Sequence, residues 1–114
     1  MLRATLLLLL CGCFPMRSLA LGEPVPPRPE KCPIRQERVT QAQAETQYAQ
    51  VGVICAGALA YSASHSIDQM DPVEHEQFQS EVCQLGGDIV VVTGLCSIGK
   101  GDGVEWRVYR ERPQ

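Results

Sequence analysis

The sequence predicts a small α+β layer, with one helix packed on a sheet of about three strands. A βαβ crossover joins the strands, and disulfides brace them. Three observations carry that reading. A β-branched apolar run, "QVGVICA" (50–56), has the length of a strand. A helix with both ends marked follows between Asp71 and Gly86, and a second apolar run, "DIVVVTG" (88–94), comes directly after it. At 114 residues the chain holds one small domain and little else.

The chain opens with Arg3 and an apolar stretch from Ala4 to Leu10, the pattern of an export leader and too short to span a bilayer. Two processing sites compete. Leu10-Cys11-Gly12-Cys13 has the form of a bacterial lipobox, apart from Cys11, whose place usually holds Ala, Ser or Thr. Cleavage there leaves Cys13 as a lipid-bearing N-terminus. The rival pattern, Ser18-Leu19-Ala20, suits an ordinary signal peptidase. The lipobox is the preferred reading. It divides the chain into a leader (1–12), a lipid-anchored Pro-rich tether (13–34) and a domain (35–114). Two or more acyl chains, at about 0.8 kcal/mol per buried methylene, hold a protein on a membrane where one does not.

"EPVPPRPEKCP" (23–33) holds five prolines and favours extended polyproline II, the conformation of a semi-rigid spacer. The Gln-rich residues 35–50 read as a short exposed helix or as connecting chain. After the first strand, "GALAYSASHSIDQM" (57–70) is small and polar, a loop. The helix then has Asp71 as N-cap, Pro72 at its first position and Glu74 placed for a capping box. Phe78, Val82 and Leu85 share one face, and Gly86 can take the left-handed stop. A helix from Pro72 to Leu85 would run about 21 Å, close to the roughly 20 Å of a six-residue strand. The "DIVVVTG" run lacks alternation, as a strand covered on both faces does. "GKGDG" (99–103) supplies a turn, and "VEWRVYR" (104–110) alternates as a half-exposed last strand, antiparallel to the one before.

Beyond Cys11 and Cys13 the chain has four cysteines: Cys32, Cys55, Cys83 and Cys96. An even number in a small exported domain predicts two disulfides, with three connectivities open. Cys83 lies off the Phe78–Val82–Leu85 face, toward a flank where the arm carrying Cys32 could pass. This favours Cys32–Cys83, leaving Cys55–Cys96.

The lipobox, the Pro-rich segment, "YAQVGVICAG", the helix, and "LGGDIVVVTG" leading into "GVEWRVYR" together resemble small bacterial envelope lipoproteins of the Rcs stress-sensing outer-membrane family. The resemblance covers roughly residues 48–110 with the leader and tether. It implies a compact mixed α/β domain with two disulfides, held in the outer membrane and facing the periplasm. Cys83, inside the helix, departs from that family's pattern.

Chemistry-bearing patterns are sparse. His65 and His75, with Asp68, Asp71, Glu74 and Glu76, show no recognised metal-ligand spacing, so no metal is expected. Gly99, Gly101 and Gly103 precede a strand, whereas phosphate loops open a helix. The serines around His65 lack an orienting acid. A net charge of −3 without a basic run argues against nucleic acid. The expectation is therefore a non-enzymatic, cofactor-free lipoprotein of the bacterial envelope, presenting its domain to a protein partner. If a loop meets that partner, Tyr61, His65 and Ile67 are the first residues to consider. The alternative is a soluble secreted binding or inhibitory domain, released after Ala20.

Overall fold

A computed structural model describes residues 16–57, 66–96 and 103–112. Its architecture is α+β, with five strands in one mixed sheet and two helices on opposite faces. In chain order these are β1 (Met16–Ala20), β2 (Arg35–Gln36), α1 (Gln41–Gln47), β3 (Tyr48–Gly57), α2 (Pro72–Gln84), β4 (Ile89–Leu95) and β5 (Gly103–Glu111). A 3-10 turn at Ile67–Gln69 precedes α2. The spatial order is β1-β3-β5-β4-β2; β2 and β4 are parallel, and every other neighbouring pair is antiparallel.

The sheet is wider than the three strands expected, and its crossover is split. β3 and β4 run parallel, on either side of α2 in sequence, but β5 inserts between them. β5 is thus the central strand rather than a half-exposed last one. Val104, Trp106 and Val108 are fully buried toward α2. Tyr109, on the other face, is buried beneath α1. Alternation in "VEWRVYR" is real, but two helices cover the two faces, so polarity does not mean exposure there.

Each helix is cut to its length by caps. In α1, Thr40 and Gln43 form a reciprocal capping box, Gln43 N donating to Thr40 Oγ1 at 3.1 Å and Thr40 N to Gln43 Oε1 at 2.9 Å. Ala44 turns inward against Ile89, Val91 and Tyr109. In α2, Asp71 accepts from Val73 N at 3.0 Å, Pro72 has no N–H that needs an acceptor, and Gly86 takes φ +86° to end the helix. Phe78 and Val82 enter the main core, where the Phe78 ring meets Trp106 edge-on at 5.1 Å.

The Pro-rich stretch forms neither helix nor strand, in keeping with its prolines. It lies between two strands of the sheet instead of ahead of the domain, because β1 already pairs with Gly52–Ala56 of β3. Val25 packs against the main core, and Arg28 N donates to Cys83 O at 2.8 Å. Met16, the first of the described residues and nineteen before residue 35, already packs against the core.

Candidate functional site

Two surfaces are built by the parts of the chain that carry its covalent framework. The first is the flank of α2 where the Pro-rich arm crosses. A disulfide joins Cys32 to Cys83 with Cα atoms 5.9 Å apart. Around it Gln79 Nε2 donates to Cys32 O at 2.7 Å, and Arg28 pairs with Asp88 at 2.9 Å. Lys31, at φ +67°, turns the chain, and Cys32 N closes that turn on Pro29 O at 3.0 Å. Between arm and helix lies a shallow cavity of about 300 Å³ lined by Pro27, Arg28, Glu30, Ser80, Cys83 and Gln84. A second groove of about 310 Å³ continues it along Glu30, Ser80 and Glu81 to Val73, which is 62 % exposed.

The second surface is the end of the sheet where Met16, Gly57, Leu95 and Gly103 come together in register. There the other disulfide, Cys55–Cys96, ties the end of β3 to the end of β4 across β5, with Cα atoms 5.7 Å apart. Nearby Glu105 is buried in β5. Thr93 Oγ1 donates to its carboxylate at 2.7 Å and Arg107 Nε donates at 3.1 Å. A charge in a central strand is stable only when paired and hydrogen-bonded in this way.

Glu74 contrasts with it. Placed in sequence for a capping box, it is instead buried on α2, 5 % exposed, four residues before Phe78 on the same face. Burial raises its carboxyl above the ordinary range, and the neighbouring Asp71 charge adds to the rise. Tyr109 is likewise raised, first by burial and then by Glu45, with Arg107 opposing. At the opposite end of the sheet, Arg35 bridges Glu37 at 3.1 Å and Glu111 at 3.3 Å, under the Tyr48 ring.

Of the residues singled out from sequence, Cys13, Tyr61 and His65 lie outside the described residues, as do Gly99 and Gly101. Ile67, the third residue of the proposed partner loop, lies within the described residues. It is 7 % exposed, packs into the main core, and its N–H donates to Gln36 Oε1 at 3.0 Å. It opens the 3-10 turn that Ser66 caps, which turns its side chain inward. Asp71 serves as a cap and Glu74 is buried, so these two carboxylates are not free to converge. Among the described residues no group of three or more His, Cys, Asp or Glu side chains is placed to hold a metal. No helix among them is long and apolar enough to cross a membrane.

Sequence reasoning missed the fastening of the arm by Arg28, Gln79 and Asp88, and the burial of Glu74 and Glu105. Of these, only the burial of Glu74 had a sequence signal, since residues 74, 78 and 82 fall on one helical face. The chain matches no protein-family profile, no curated protein and no solved structure.

Proposed function

We propose that this protein is a lipid-anchored lipoprotein of the bacterial envelope, non-enzymatic, and that it presents a disulfide-braced domain to a protein partner from the outer membrane. The observation that supports this reading is β1. Met16–Ala20 pairs with Gly52–Ala56, and Met16 packs against the core. Processing at Cys13 keeps that strand, whereas processing after Ala20 deletes it and opens an edge of β3.

The reading also has a geometric consequence. Only three peptide steps separate Cys13 from Met16, a reach of about 11 Å at full extension. An anchor so short holds the Met16 end of the sheet close to the bilayer, with Gly57, Leu95 and Gly103 beside it. The Pro-rich arm does not set the reach, because it is fastened to α2 within the fold. The α2 flank and its grooves are left facing the periplasm, available to a partner.

Radioactive palmitate labelling of the exported chain, beside a Cys13→Ala variant, tests the anchor. Label on the parent and its loss, with loss of membrane partition, in the variant is the expected result. An unlabelled parent that partitions as the variant does would remove the anchor and leave the soluble secreted domain.

A further inference from the structure

β3 is the longest of the described strands, and from Tyr48 to Gly57 it carries no charged residue and no proline. A strand of that composition pairs readily when an edge is open, and proteins block such edges with charge, proline or a covering strand. Here the cover is β1. Leu21 N donates to Val51 O at 3.0 Å. By alternation along the strand, Val51, Val53 and Cys55 turn their N–H and C=O groups toward β1.

β1 itself is lightly held. Arg17–Ala20 are exposed, Leu19 by 48 %, and only Met16 reaches the core. Its described side-chain tie is Ser18 Oγ donating to Glu81 at 2.8 Å. The last three residues of the strand, Ser18-Leu19-Ala20, are also the small-residue cleavage pattern. One cut there removes all of β1.

We infer that β1 is a removable cap, and that a chain cut after Ala20 pairs along the freed β3 edge with the same edge of a second copy. β1 runs antiparallel to β3, so the vacated edge accepts an antiparallel strand. A second copy related by a two-fold axis offers its own β3 in that direction, with the same uncharged residues. The contact is isologous and closes at two chains. A chain that keeps β1 presents Arg17 on its edge strand instead, one of the charges that discourage edge pairing. The choice of processing site thereby sets the state of assembly. This holds whether or not the other route ends in lipidation.

The test uses the chain from Met16, exported behind a conventional leader, with a specific protease site spanning Ala20–Gly22. It is folded and oxidised first, the two disulfides are verified by non-reducing peptide mass, and the site is then cut. Light scattering on gel filtration is expected to give a monomer before cutting and twice that mass after it. Hydrogen exchange at Val53 and Cys55 is expected to slow as the concentration of the cut protein rises. A chain beginning at Leu21 supplies an independent preparation. A cut protein that stays monomeric, a dimer that exists before cutting, or a dimer whose Val53 and Cys55 amides gain no protection overturns the inference. An open-ended series of masses overturns it too, because a two-fold contact closes. None of these outcomes bears on palmitate labelling, so the cap and the anchor fail separately.

Discussion

Glu74 is the residue at which the fold carries an avoidable cost. Its carboxyl is buried on the inner face of α2, and burial raises its affinity for a proton. Below the ordinary carboxylate range both folded and unfolded chains hold that proton. As pH rises through the range the unfolded chain ionises first, so stability falls until the raised folded value is passed and the penalty is complete. Glu74→Gln is therefore expected to raise Tm at about pH 7 by a few degrees, as about 1 kcal/mol does in a domain this small. At about pH 4, near the unperturbed carboxyl value, the gain should shrink; calorimetry at the two pH values measures it. Phe78 sits on the same face and is wholly buried against Trp106. Phe78→Ala should cost about 3–5 kcal/mol, read from urea unfolding. Phe78 was read from the sequence as a core-face position, whereas Glu74 was read as part of a capping box. What the sequence could not supply was polarity in context: Glu74 fits a cap by spacing and Glu105 fits a solvent face by alternation, yet both are covered. Burial of a polar residue depends on what packs over it from distant chain.

Among the elements, α2 and the two apolar strands flanking it were legible because caps, face periodicity and β-branched runs are local signals. α1 was not, since its seven residues bury only Ala44 and its Gln-rich sequence gives no apolar stripe. Its signal was the capping box, and Thr40→Ala should cost about 1 kcal/mol by chemical unfolding. β1 and β2 were missed for a different reason. β2 has two residues, and β1 lies in sequence read as the start of the tether or, with cleavage after Ala20, as the end of the leader. Both are made strands by the partner they pair with. The Pro-rich arm likewise shows its prolines in its extended course, but its fastening comes from Cys83 O, Asp88 and the Cys32–Cys83 bond. That bond closes a separation of 51 residues. Replacing both cysteines with serine should lower stability by roughly 2–4 kcal/mol. It should also expose the arm around Lys31 to trypsin, visible as early cleavage there under native conditions.

At the scale of the whole molecule, two disulfides and two helices among the described residues brace a sheet whose strand β1 begins three residues beyond Cys13. Cross-links suit a domain this small, where a single core supplies little surplus stability. The framework was readable in the even cysteine count and in the position of Cys83 off the core face of its helix. The grooves on the α2 flank were not readable, because a surface assembled from an arm and a helix leaves no motif in either segment.

The most direct test of the anchored, cross-linked domain is the intact mass of the exported protein, taken before and after reduction and alkylation. The account predicts a chain that starts at Cys13, carries the added mass of a diacylglyceryl group, and gains four alkyl groups only after reduction. An unmodified chain starting at Leu21, or one whose cysteines alkylate without reduction, would contradict it.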